Sequence, residues 1–169
     1  MLQTFAHQHP DRPDWIARKL NQGLCRDTHA TQFVTLFYGL LNTQTQVMDY
    51  INAGHNPPLI FCRSQASVHV LGHTGVPLGL FPTQSWGMDH IQFNPGDCLV
   101  LYTDGVTDAE NSAHEHFGQH RLIEAIRANL EKPAAEIQDS LIEQINQFTE
   151  SREPFDDLTL LVLQRDYPG

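Results

Sequence analysis

Two strand ends carrying carboxylates are the residues of this chain best suited to chemistry. The apolar run Leu99-Val100-Leu101-Tyr102-Thr103 stops at Asp104-Gly105, where a glycine lets the backbone turn sharply and project the carboxylate beyond the strand. Asp156-Asp157 stands directly before a second apolar run, residues 158–163, with Pro154 holding the approach. Taken singly, each has an ordinary explanation: an aspartate capping a loop, and a solvated strand entry. Taken together, two carboxylates at the mouths of two core strands can converge on one site, and hard cations such as Mg²⁺ or Mn²⁺ take such oxygen ligands.

Other chemistries fit less well. Leu99 to Asp108 (LVLYTDGVTD) superficially resembles the first motif of the haloacid dehalogenase phosphatases, a strand followed by Asp-x-Asp-Gly. The first Asp of that motif is the nucleophile, and Tyr102 in its place cannot form an aspartyl phosphate. The spacing of Asp104, Asp108 and Asn111 fails the calcium-loop pattern. His114-Glu115-His116 with His120 invites a zinc reading, but the segment is a polar loop running into a helix, with no cysteine or further histidine at zinc spacing. His69 and His73 read as strand and turn residues. The chain has no Gly-x-Ser-x-Gly elbow, no phosphate-cradling glycine loop with lysine and no dinucleotide fingerprint.

The elements that must position these residues belong to one domain, the natural reading of 169 residues. Acidic residues outnumber basic ones 20 to 10, and a net charge of −10 offers nothing to a phosphate backbone or an anionic bilayer. No apolar run approaches the ~20 residues of a spanning helix, and the N-terminus lacks the pattern of a signal peptide. The three cysteines, Cys25, Cys62 and Cys98, each lie in an apolar stretch and are expected as buried free thiols of a cytoplasmic protein.

Periodicity predicts an amphipathic helix over residues 13–25 behind a cap at Asp11, then strands over 32–41 and 46–53 joined by the polar break 42–45. Short strands follow at 59–62, 68–71, 89–93 and 98–102. Apolar residues three and four apart then predict helices over 121–130 and 134–148, parted by Lys132-Pro133, before a last core strand at 158–163. Antiparallel strands outnumber helices, which argues for an α+β fold with helices packed on a sheet or sandwich.

Five blocks then carry a family resemblance: Phe33-Val34-Thr35-Leu36-Phe37-Tyr38-Gly39, Asn52-Ala53-Gly54-His55-Asn56-Pro57-Pro58, Thr74-Gly75-Val76-Pro77-Leu78-Gly79-Leu80, Leu101-Tyr102-Thr103-Asp104-Gly105-Val106-Thr107-Asp108-Ala109 and Asp156-Asp157-Leu158-Thr159-Leu160. In this order they resemble the bacterial SpoIIE-type phosphatases, a branch of the metal-dependent (PPM, or PP2C-like) serine/threonine protein phosphatases. The resemblance implies a two-layer antiparallel β-sandwich flanked by helices. It implies hydrolysis of phosphoserine or phosphothreonine on a partner protein with two Mn²⁺ or Mg²⁺ ions. Asp104 and Asp156 become metal ligands, with Gly105 and Asp157 as further ligands or supports of the ligands, and His55 and Asn56 near the site. The expected protein substrate is an anti-sigma-factor antagonist of a partner-switching, sigma-factor-regulating pathway.

Departures from the family pattern set further expectations. Family domains open with two more strands and an Asp-x-Ser-Gly-His-Gly-like block whose carboxylate bridges both metals, and neither block occurs here. Residues 1–10 resemble the tail of the first helix, so residues 1–169 are expected to be the C-terminal portion of a phosphatase domain, incomplete at its N-terminus, either within a parent chain with an upstream sensor or receiver domain or as a naturally truncated reading frame. Gly54-His55-Asn56 stands where eukaryotic relatives have Gly-Asp-Ser, so a third metal is not expected, and His55 reads as a turn or strand-end residue rather than a catalytic acid. The rival reading is a catalytically silent interaction or regulatory module of the same fold. Sheet edges left open by absent strands invite a homodimer.

Overall fold

The helix that starts at Pro13 shows how local chemistry sets the first element. Proline has no N–H to lose at the first helical position, and Asp14 in the first turn and Arg26 in the last complement the helix dipole. The guanidinium of Arg12 holds the Asp14 carboxylate with two hydrogen bonds (2.8 and 2.9 Å) and keeps its pKa below the ordinary carboxylate range. The N–H of Ile16 donates to Arg12 O (3.1 Å), so the cap position belongs to Arg12 and not to the expected Asp11.

A computed structural model describes residues 2–27, 32–150 and 157–166, with the chain divided into two compact units. The first, Met1–Pro57 with Leu71–Asn94, holds helices α1 (Leu2–Gln8) and α2 (Pro13–Asp27) and a sheet of β1 (Leu36–Asn42), β2 (Val47–Ala53) and β5 (Asp89–Gln92). Its strands are antiparallel in the order β1-β2-β5. Ala17 of α2 packs with Ile51 and Ala53 of β2 and with Leu78 and Trp86. Gly75 lies under the Trp86 indole, where an added Cβ would stand 2.8 Å from Nε1. The strand expected from residue 32 begins at Leu36, because Val34 exchanges both backbone hydrogen bonds with Leu78 (2.9 and 2.8 Å) instead of continuing the ladder.

The second unit, Pro58–Val70 with Pro95–Gly169, holds β3 (Leu59–Cys62), β4 (Ser67–Val70), β6 (Cys98–Tyr102) and β7 (Leu160–Gln164), antiparallel in the order β4-β3-β6-β7. Helices α3 (Asp104–Thr107), α4 (Gly118–Arg127) and α5 (Ala134–Phe148) complete it. Leu122, Ala125 and Ile126 of α4 and Ile137, Leu141 and Ile145 of α5 share one core with Leu59, Phe61, Val100 and Leu160. Helix α4 starts three residues earlier than its apolar spacing predicts, at Gly118, whose positive φ of 74° turns the chain into the helix. The last strand was expected in the core. It lies at the sheet edge, and its alternate residues Leu161 and Leu163 are 51% and 46% exposed.

The α+β reading stands, with antiparallel sheets and helices in the expected order. Among the described residues, no helix is long and apolar enough to cross a membrane. Cys62 and Cys98 are buried free thiols, while Cys25 is half-buried. Burial pushes the Cys98 thiol up to about 12.

Two predictions follow from the packing. Gly75→Ala is expected to destabilise the chain by about 1–3 kcal/mol through overpacking against Trp86, whereas Gly72→Ala, with open space around it, is expected to be near neutral; urea unfolding midpoints measure both. In the native protein Cys25 is expected to react with a thiol reagent first, and Cys98 only on unfolding, even at pH 9, because its thiolate is suppressed.

Candidate functional site

Strand β6, buried at every residue but the half-buried Leu101, delivers the first candidate carboxylate. At its end Tyr102 is buried, its hydroxyl accepts a hydrogen bond from Gln119 Nε2 (3.0 Å), and burial raises its pKa. Thr103 remains extended (φ −89°, ψ 165°), and the backbone then coils. Val106 N–H donates to Thr103 O (3.0 Å) and Asp108 N–H to Asp104 O (2.8 Å). What the sequence presents as a turn is thus one turn of helix. Its cause is Val106, fully buried, which the coil tucks beneath the strand end while Asp104 stays exposed on the first helical residue. Asp104 Oδ1 accepts from the N–H of Gly105 (3.1 Å), and the buried Gly105 leaves the carboxylate unobstructed by a neighbouring side chain.

Thr103 ties this strand end to the approach of β7. Its hydroxyl donates to Asp157 O (3.0 Å) and accepts from the N–H of Thr159 (3.0 Å), while its own N–H donates to Thr159 O (3.1 Å). Strand pairing continues the same register, with Tyr102 opposite Leu160. The backbone of Asp157 is therefore held beside the residue that precedes Asp104, and both Asp104 and Asp157 are exposed. Asp156, the other expected ligand, lies outside the described residues.

His55 and Asn56 belong to the other unit, on the loop that follows β2. Gly54 there has φ +72°, and a Cβ on it would stand 2.7 Å from Pro77 Cδ, so both backbone and space require glycine. Asn52 is fully buried: its Oδ1 accepts from the N–H of His55 (2.9 Å) and its Nδ2 donates to Leu71 O (3.1 Å). Thr74 Oγ1 accepts from the N–H of Asn52 (3.0 Å), and Thr74 N–H donates to Asn52 O (2.9 Å).

The carboxylate oxygens on offer suit Mn²⁺ or Mg²⁺ in kind. Among the described residues, which leave out Asp156, no group of three or more His, Cys, Asp or Glu that could hold a metal ion occurs. The histidines of the 114–120 segment make local contacts: His114 pairs closely with Glu110, His116 Nδ1 bonds Asp108 O (3.0 Å) and His120 faces Glu124 (3.7 Å). A cavity of about 420 Å³ lies by the start of β6, away from Asp104, lined by side chains of both signs, among them Arg63, Glu131, Lys132, Arg165 and Asp166. Sequence reasoning did not single out Thr103, Asn52 or Thr74. The available signal was a polar side chain at the end of an apolar strand, which needs a partner when buried.

The family model described as stage II sporulation protein E (SpoIIE) matches residues 1–166. Protein IcfG of Synechocystis sp. is 36% identical over 134 residues, covering 79% of this chain and 21% of IcfG. Phosphoserine phosphatase RsbU of Bacillus subtilis is 28% identical over 156 residues, covering 90% of this chain and 45% of RsbU. The chain thus spans less than half the length of either relative. Among solved structures, the SiaA-PP2C domain of Pseudomonas aeruginosa superposes with a TM-score of 0.80 at 16% identity, over 98% of this chain and 66% of that one. The fold is that of PP2C-type phosphatase domains. With a family match along nearly its whole length, the chain belongs to the SpoIIE family.

Proposed function

We propose that this chain serves a metal-dependent phosphoserine or phosphothreonine protein phosphatase of a partner-switching pathway in the cytoplasm, acting on a phosphorylated anti-sigma-factor antagonist. The observation that carries the reading is the Thr103 bridge, which holds the backbone of Asp157 beside the strand end that bears Asp104. Asp104 and Asp156 are the proposed ligands, with Gly105 and Asp157 supporting them. A bound Mn²⁺ or Mg²⁺ would supply Lewis-acid stabilisation of the phosphoryl group and an activated water. The chain's own part is to hold anionic oxygens at fixed positions: the buried β6 fixes the direction, Thr103 fixes the register, and the α3 turn leaves the Asp104 carboxylate exposed.

A catalytically silent module of the same fold is the alternative, favoured by the absence of a three-ligand group among the described residues. Two divalent ions close together repel strongly unless an anionic ligand lies between them. Asp104 and Asp156 supply only two carboxylates.

Two measurements test this reading. In the full-length gene product, Asp104→Asn or Asp156→Asn is expected to abolish nearly all hydrolysis of a phosphoserine protein substrate with little change in melting temperature, since the amide keeps the shape and removes the charge; near-wild-type turnover with Mn²⁺ in both variants would make these carboxylates structural. Titration calorimetry of the 169-residue chain with Mn²⁺ is expected to show at most one weakly held ion, alongside negligible turnover. Tight binding of two ions with robust turnover would mean that a further residue of this chain completes the ligand set.

A further inference from the structure

The last rung between β6 and β7 departs from the ladder. Continuing the register past Tyr102 and Leu160 sets Thr103 opposite Thr159, and a hydrogen-bonded antiparallel pair ordinarily exchanges both main-chain bonds. Here only one has that form: Thr103 N–H donates to Thr159 O (3.1 Å). The return bond, from the N–H of Thr159, goes to the Thr103 hydroxyl (3.0 Å) in place of the Thr103 carbonyl. That carbonyl accepts instead from the N–H of Val106 (3.0 Å), and so closes the first turn of α3. A threonine at a helix N-cap commonly turns its hydroxyl to the N–H groups of the first turn. Thr103 occupies the N-cap of α3 and makes no such bond; its hydroxyl proton goes across to Asp157 O (3.0 Å). One side chain thus stands in for a main-chain acceptor, and the carbonyl it releases turns strand into helix at the residue before Asp104. Without the hydroxyl, the N–H groups of Thr159 and Val106 are left to one carbonyl. Aimed at β7, it opens the α3 turn; aimed at Val106, it leaves the Thr159 N–H without its bond.

We propose that Thr103 is a positioning residue for the Asp104 carboxylate: its hydroxyl replaces its own carbonyl in the ladder and so sets the point where β6 ends and α3 begins. Every residue of this device lies in one compact unit. The role in hydrolysis rests on the phosphatase reading above, whereas the exchange of acceptors does not. Thr103 is assigned no contact with substrate or metal; its effect passes through the main chain of Asp104 and Asp157.

The test compares Thr103→Val, which keeps the branched shape, with Thr103→Ser, which keeps the hydroxyl. Amide hydrogen exchange of the 169-residue chain reads the device without reference to activity. Exchange at Val106 is expected to quicken roughly tenfold in Thr103→Val, as for the loss of one hydrogen bond, and to keep the wild-type rate in Thr103→Ser. In the full-length gene product with a phosphoserine protein substrate, kcat is expected to fall roughly tenfold in Thr103→Val with little change in KM, and to recover in Thr103→Ser. Should Thr103→Val not fold, Thr103→Ala takes its place with the same expectations. Wild-type exchange at Val106 in the variant without a hydroxyl overturns the device itself. Quickened exchange with wild-type kcat overturns the positioning role and leaves the phosphatase reading intact. Equal loss of kcat in the Val and Ser variants also overturns it, since the hydroxyl would then be irrelevant. A wild type that hydrolyses no phosphoserine substrate overturns the phosphatase reading and the role in hydrolysis with it, while the exchange rates still decide the structural device.

Discussion

The register of β7 against β6 is the constraint on which the candidate site depends. It places the residues after Tyr102 opposite those before Leu160, and so sets Asp104 and Asp157 at one level. The apolar pattern of β7 cannot fix that register, because Leu160, Leu161, Val162 and Leu163 are apolar on both faces and a slip by one residue would exchange one greasy face for another. Polar bonds at the two ends fix it instead. At one end Thr103 both donates to Asp157 O and accepts from Thr159 N–H. At the other, Arg165 exchanges backbone bonds with Gly96 and Asp97. Specificity here comes from hydrogen bonds whose geometry tolerates one alignment only.

The same economy appears in each unit where a buried polar side chain organises a loop. Asn21 on α2 is fully buried and bonds the N–H of Gly79 (2.7 Å) and the carbonyl of Phe81 (2.9 Å), holding that loop to the helix. In the other unit the fully buried Asp97 accepts from the N–H of Arg63 (2.9 Å) and anchors the segment after β3. Leaving any of these partners unmade would strand a polar atom in the core, at a cost of about 1–3 kcal/mol. Loops fastened in this way inherit the rigidity of the elements beneath them.

How much of this was legible in the sequence depends on the reach of each interaction. Residues 59–62, 98–102 and 134–148 announce their elements, because apolar period and flanking turn residues are local signals, and the structure has β3, β6 and α5 at those bounds. The start of β1 was misplaced because Val34 bonds Leu78, forty-four residues away. The α3 coil is a single turn, too short for any period to show. The acidic strand ends could be named from strand patterning and block order. The hydroxyl of Thr103 could not be assigned a partner, since that partner is fifty-four residues distant. The Asn52 loop was hidden likewise: one of its side-chain bonds is local, to His55, but the other reaches Leu71.

Both tryptophans, Trp15 and Trp86, fall in the unit built on α2 and the three-stranded sheet. Trp86 is buried with its indole N–H bonded to Val76 O (2.7 Å), and Trp15 packs edge-on against Phe5. Indole fluorescence therefore reports on the loosening of that unit alone. The unit that carries Asp104 contains no indole, and far-ultraviolet circular dichroism follows its helices α4 and α5 together with α1 and α2 of the other unit. A gap between the two signals during unfolding would resolve the two units as separate cooperative bodies, and coincident curves would make them one.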